Sequence, residues 1–155
     1  AINGGIEMNA ITEIVAPIDL EDQTKKVAEY ASYMAAKLSA NLTLLHVVEL
    51  MRPIGDMVLG STTVEEYNEK RLTYAKEQVD KLVADHPECK GVVIVGEIVD
   101  EIIDFAKKKG ANLIIIGTHG SKGLEKLLLG SVAERVVKYS HCPTLVMNPY
   151  KHHRQ

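Results

Sequence analysis

The segment "NLIIIGTHGSKGLEKLLLGS", residues 112–131, decides how this chain is read. It opens with an apolar run that has no polar alternation, the pattern of a strand covered on both faces. It then turns into a stretch with four glycines in fifteen residues, Gly117, Gly120, Gly123 and Gly130, which is not the composition of a core element. Glycine lets a backbone approach a neighbour with no Cβ in the way and allows positive φ, so that several amides can converge on one point. Ser131 follows, with Glu134 three residues on, the spacing of a capping box that starts a helix. The first N–H groups of a helix and its positive dipole end attract anions. Strand, glycine loop and helix in that order admit two interpretations. One is a phosphate cradle; the other is a glycine-bearing turn in which Ser131 merely caps its own helix. The position at a strand's carboxyl end and the added donors Ser121 and Lys122 favour the cradle.

Outward from this segment the hydrophobic period changes repeatedly. "EIVAPID", residues 13–19, reads as a buried strand stopped by Pro17 and Asp19. Over residues 22–39, Val27, Tyr30, Ala31, Met34, Ala35 and Leu38 recur on one helical face. "NLTLLHVVE", residues 41–49, is a second strand, and residues 50–62 carry Pro53, Gly55 and Gly60 with no period, a connection of the length used for lids. Thr63 and Glu66 form a capping box, after which Leu72, Ala75, Val79, Leu82 and Val83 continue a helical stripe to about Asp85. "GVVIVG", residues 91–96, is a third strand. "DEIIDFAKKKG", residues 100–110, is a helix with acids first, lysines last and a glycine after, as the helix dipole and C-cap favour. Residues 112–117 are a fourth strand, residues 131–139 a helix, and "PTLVMNP", residues 143–149, a fifth strand. Alternation of strand and helix throughout predicts parallel neighbours, right-handed crossovers and helices on both faces of one sheet.

A chain of 155 residues has the size of one domain, expected over residues 1–149 with a polar tail at 150–155. Ala1 to Glu7 are expected to precede a natural start at Met8. Net charge −3 and a pI near 6.1 offer no reason to expect nucleic acid or an anionic membrane, so any anion site must be built locally. No apolar run approaches the roughly 20 residues that span a bilayer, and the start has no signal-peptide pattern. Cys89 and Cys142 lack CxxC spacing and suggest reduced thiols in a cytoplasm.

Standard nucleotide signatures fail. There is no GxGxxG, and "GDMVLGST", residues 55–62, lacks the lysine of a P-loop and does not follow a strand directly. A phospho-receiver fits poorly, because the third strand ends "VGE" and the last ends "VMNP", without the acceptor Asp and the Lys. His46, in an apolar strand, reads as a core histidine, and His152 and His153 as a solvated tail. Asp100, Glu101 and Asp104 read as a solvated helix start. His119 could donate to a phosphate, act as a general acid, or satisfy a backbone carbonyl. Asp19 could contact a ligand or cap the following helix.

"GTHGSKGLEKLLLGS" fits G-x2-G-x9-G-S/T through Gly117, Gly120, Gly130 and Ser131, and so resembles the nucleotide-binding signature of the ATP-binding branch of the universal stress protein family. The resemblance covers nearly the whole chain, with residues 14–49 similar to the family's first strand, helix and second strand, and residues 130–147 to its closing helix and strand. It implies an α/β fold, a single-domain open five-stranded parallel sheet with helices on both faces, Rossmann-like and of the adenine nucleotide alpha hydrolase-like kind, in strand order 3-2-1-4-5. It implies that Pro17, Ile18 and Asp19 lie on the adenosine side, and that the backbone of Val47 reads the adenine edge. Gly117, Thr118, His119, Gly120, Ser121 and Lys122 would hold ribose and phosphates, with Gly130, Ser131 and Val132 at the phosphate-binding helix start. The ligand is then ATP, or ADP or AMP, with Mg²⁺ or Mn²⁺ bridging phosphate oxygens that this near-neutral domain would not otherwise neutralise. It also implies a stress-response regulator that dimerises through Thr144, Leu145, Val146 and Met147. No residue is assigned to catalysis or direct metal ligation. Nothing is placed to aim a water, so little or slow hydrolysis is expected. The alternatives are a slow ATPase or phosphotransferase using the same pocket, and a nucleotide-free interaction module.

Overall fold

A computed structural model of the chain describes residues 10–53, 55, 58–60, 62–118 and 129–149. The elements are β1 (Glu13–Pro17), α1 (Thr24–Leu38), β2 (Asn41–Val48), β3 (Val58–Leu59), β4 (Thr62–Thr63), α2 (Val64–Asp85), β5 (Lys90–Val95), α3 (Ile98–Lys109), β6 (Leu113–Gly117), α4 (Ser131–Tyr139) and β7 (Thr144–Met147). Five strands form one sheet in the order β5-β2-β1-β6-β7, every neighbour pair parallel. This is the expected 3-2-1-4-5 order. The chain steps from β1 through β2 to β5 in one direction, then returns to build β6 and β7 on the other side of β1.

Each strand alternates between two buried clusters. Ile14, Ala16, Leu42, Leu44, Leu113 and Ile115 face the layer that holds Val27, Ala31 and Ala35 of α1 and Val79 and Leu82 of α2. Val15, Leu45, Val47, Ile114 and Ile116 face the opposite layer, with Val99, Ile102 and Ala106 of α3 and Ala133 and Val136 of α4. The period of two is real but invisible in the sequence, because both faces are apolar.

The helix ends follow their local chemistry. Thr63 and Glu66 form the expected capping box, each backbone N–H bonded to the other side chain at 3.2 Å. α3 begins earlier than its acids suggest, since Glu97 is the N-cap and its Oε2 accepts the Asp100 amide at 2.7 Å. Gly110 closes α3 in the left-handed conformation, φ 71°. The connection at residues 50–62, expected to lack regular structure, contains the short antiparallel β3–β4 ladder. Its first part is pinned to α2, with Asn68 Oδ1 accepting the Met51 amide at 2.9 Å and Asn68 Nδ2 donating to the Met51 carbonyl at 2.8 Å. Among the described residues no helix is long and apolar enough to cross a membrane.

Two glycines are set by close approach of a helix. At Gly117 a Cβ would come within 3.1 Å of Val27 Cγ2 on α1. At Gly91 it would meet Val79 Cγ1 at 2.5 Å and Val83 Cγ2 at 2.7 Å, both on α2. Valine is stiff at χ1 in a helix, so neither side chain can step aside cheaply. Gly91→Ala should therefore destabilise the fold by about 1–3 kcal/mol, read as a lowered urea midpoint, although the residue is exposed and replaced by a better strand former.

Candidate functional site

The strand order reverses between β1 and β6, and at such a point the helices on either side diverge and leave a crevice at the carboxyl ends of the strands. Here the crevice is a cavity of about 620 Å³. The end of β1 contributes Pro17, Ile18 and Asp19; the end of β2 contributes His46, Val47 and Glu49; β6 ends in it with Gly117 and Thr118. The start of α4 closes it with Gly130, Ser131, Val132 and Ala133. Every described residue expected on the nucleotide site thus reaches one cavity from four separate chain segments. His119, Gly120, Ser121 and Lys122 lie outside the described residues.

Backbone bonds build the β6–α4 side. Thr118 donates its N–H to the Met147 carbonyl at 2.8 Å, and the Gly130 N–H donates to the Thr118 carbonyl at 2.9 Å. The two ends of the glycine segment are thereby tied together. The Ser131–Glu134 capping box expected from the sequence does not form. Gly130 occupies the N-cap position with φ −60° and ψ 156°, and Ser131 is the first helical residue. A box needs its hydroxyl residue outside the helix, and Ser131 is one position too late. A glycine cap has no side chain to cover the first amides, so those of α4 depend on whatever else reaches them.

The β1–β2 side is built differently. Asp19 Oδ1 accepts from the Glu21 amide at 3.0 Å and from Thr24 Oγ1 at 2.9 Å. It braces the turn into α1, whose N-cap position is taken by Gln23 without a side-chain bond. Both bonds use the same carboxylate oxygen. The next residue, Leu20, sits at φ 62°, a left-handed conformation unusual for a leucine. His46 is half-buried, donates from Nδ1 to the Ile18 carbonyl at 2.7 Å, and lines the cavity, so it is more than the core histidine expected.

Arg71 and Tyr74 of α2 line the cavity as well, and sequence reasoning missed them. Arg71 Nη1 donates to the Glu49 carbonyl and its guanidinium lies 5.7 Å from the Tyr67 ring centre. They stand three residues apart on one helical face with Ala75, but only the crossover of α2 brings that face over the strand ends. Charged side chains gather at one end of the cavity: Asp19, Glu21 and Glu49 come from the β1 and β2 segments with Arg71 beside Glu49, whereas the β6–α4 side presents amides and a helix start. Near the mouth, the Asp100 amide, helped by Arg135, holds the Glu97 carboxyl below the usual carboxylate range. Burial pushes the Cys89 and Cys142 thiols up, away from thiolate reactivity. Among the described residues no group of three or more His, Cys, Asp or Glu side chains is placed to hold a metal ion.

Comparison with known proteins bears on this arrangement. The model of the universal stress protein family matches residues 11–148. Universal stress protein MJ0531 of Methanocaldococcus jannaschii is 36% identical over 149 residues, covering 92% of this chain and 85% of its own length. The solved structure of MJ0577, a universal stress protein of the same organism, superposes with a TM-score of 0.72 at 26% identity, covering 90% of this chain and 97% of that one. A universal stress protein from Archaeoglobus fulgidus, solved in complex with dAMP, superposes with a TM-score of 0.58 at 23% identity over 89% of this chain and 98% of that one, a likeness of fold alone.

The two roles open to Asp19 separate by substitution. Asparagine keeps an Oδ1 acceptor for the Glu21 amide and the Thr24 hydroxyl, so Asp19→Asn should leave the urea midpoint near that of the parent. Asp19→Ala removes both bonds and should cost about 1–2 kcal/mol in the same measurement.

Proposed function

The chain belongs to the universal stress protein family, and from that premise we propose that it is an ATP-binding regulatory protein whose nucleotide occupies the cavity where the sheet reverses. The observation that carries this proposal is the convergence of Pro17–Asp19, Val47, Gly117–Thr118 and Gly130–Val132 on one cavity with the helix amides of α4 at one end. The base and ribose belong at the β1–β2 end, against the backbone of Val47 and the free side of the Asp19 carboxylate. The phosphates belong at the β6–α4 end, where the α4 amides and the Ser131 hydroxyl supply donors and the helix dipole favours negative charge. His119, Gly120, Ser121 and Lys122 complete that cradle in this proposal. The dAMP complex of the Archaeoglobus fulgidus relative supports an adenine nucleotide as the ligand class.

With no cluster of acidic or imidazole ligands among the described residues, a Mg²⁺ or Mn²⁺ ion would arrive on the phosphates, which is how such ions usually enter nucleotide sites. Among the described residues the cavity's carboxylates sit at the base end, so none of these aims a water at a terminal phosphate, and the nucleotide acts as a switch with slow hydrolysis at most. The workplace is the cytoplasm, where ATP is abundant. Assembly as a homodimer would use the edge strand β7. Thr118 donates to the Met147 carbonyl and Ile114 to the Pro143 carbonyl, so the backbone groups of odd-numbered residues point into the sheet. Those of Thr144 and Val146 point outward, free to pair with a second copy.

Calorimetric titration with ATP, with and without Mg²⁺, together with mass spectrometry of small molecules released on denaturation, tests the proposal. Saturable binding or co-purified ATP or ADP is expected, with Ser131→Ala weakening ATP about tenfold by loss of a charge-assisted hydrogen bond. No heat and no released nucleotide would overturn it, and ADP accumulating with time would move the assignment toward a slow ATPase. Val146→Pro deletes an outward N–H without touching the β6 ladder. By light scattering it should convert a dimer to a folded monomer.

A further inference from the structure

His46 interrupts an otherwise apolar strand, and its bond alters the hydrogen-bond ladder beside the cavity. β1 pairs with β2 as far as Pro17↔Leu45, and the ladder runs one step further through the Ile18 N–H onto the Leu45 carbonyl at 2.8 Å. In a parallel ladder the next bond would run from the amide of Val47 to the carbonyl of Ile18. That carbonyl instead accepts the Nδ1 proton of His46 at 2.7 Å. Val47 is 7% exposed and lines the cavity, and its N–H and C=O lie on the side of β2 from which β1 has just ended.

A fold needing only a filled volume at residue 46 would be served by leucine. The Ile18 carbonyl would then be satisfied by the Val47 amide, and no polar side chain would have to be half-buried. A histidine is required only if the Val47 amide is to be kept out of the ladder. One strand residue whose N–H and C=O both face a cavity offers a donor beside an acceptor. That pair complements a ring nitrogen beside an exocyclic amino group, the edge of adenine. Hypoxanthine reverses it, with N1–H a donor and O6 an acceptor.

We infer that His46 is a positioning residue for nucleobase selection: by taking the Ile18 carbonyl it reserves the Val47 amide for the base, and so sets a preference for adenine over hypoxanthine. The inference rests on the nucleotide-binding role proposed above, and deepens it by naming what selects the base. Asparagine places an amide nitrogen close to the position of Nδ1, whereas glutamine places one close to Nε2, which cannot make this bond. Leucine makes neither.

The test titrates ATP and ITP into the parent and the three variants by calorimetry. It also follows hydrogen–deuterium exchange of the Val47 amide by NMR in the nucleotide-free protein. In the parent, Val47 should exchange faster than its ladder-bonded neighbour Leu45, and ATP should be preferred to ITP. His46→Asn should keep ATP affinity within about threefold and retain the preference. His46→Leu and His46→Gln should weaken ATP about tenfold, the worth of one hydrogen bond, and leave ITP nearly unchanged. The preference should collapse, and in His46→Leu the Val47 amide should become protected. A merely structural histidine would weaken both nucleotides equally or neither, and either result overturns the inference. Strong protection of Val47 in the parent overturns it too, even if the leucine and glutamine variants fail to fold. A parent that binds no ATP removes the nucleotide role itself, whereas ATP binding with an unmoved ATP-to-ITP ratio removes only the role of His46.

Discussion

The right-handed crossover between parallel strands governs where every helix of this protein lies. Strands laid down in one direction from β1 send α1 and α2 to one face, and strands laid down in the other direction send α3 and α4 to the opposite face. Between β1 and β6 the two sets part, and the strand ends there cannot be covered by a helix from either layer. The cavity is a consequence of topology before it is a property of any side chain.

Within that cavity the two walls are made by opposite means. The β6–α4 wall is almost all backbone: the Thr118 carbonyl accepts from the Gly130 amide, the Thr118 amide donates to the Met147 carbonyl, and α4 begins at a residue with no side chain to cap it. The β1–β2 wall is made by side chains that hold backbone in place, Asp19 on the Glu21 amide and Thr24 hydroxyl, and His46 on the Ile18 carbonyl. A wall of amides suits charge without regard to identity. A wall of positioned peptide groups suits a particular ring edge. The left-handed Leu20 lies directly after this second wall, where the chain must leave β1 and enter α1 within a few residues.

Glycines in the motif do not all have the same reason to be there. Gly117 lies close against Val27 on α1, where a Cβ would be crowded at 3.1 Å whether or not a ligand is present, while Gly130 stands at a helix cap on the cavity wall. In the proposed role the same motif would carry packing and recognition together, so loss of binding in a glycine variant has to be separated from loss of fold. Gly91 lies outside the motif yet is more tightly constrained, by the valines of α2.

Strand and helix order, the Thr63–Glu66 box, the Gly110 cap and the parallel sheet were legible in the linear chain because each rests on spacing or on residues a few positions apart. So were the segments that meet in the cavity, since glycine spacing and the strand-ending Pro17 and Asp19 are local marks. The misplaced Ser131 cap was not legible, because which of two adjacent residues enters a helix depends on where Thr118 holds Gly130. Nor were Arg71 and Tyr74, which reach the site only through the crossing of α2, nor the bond of His46 to a residue on the neighbouring strand. Fold class and the segments that line the cavity follow from the linear chain, because propensity and period are short-range. Which polar groups are used up and which face the cavity depends on how the strands are brought together, because a hydrogen bond has a fixed reach and the partners are chosen by strand register.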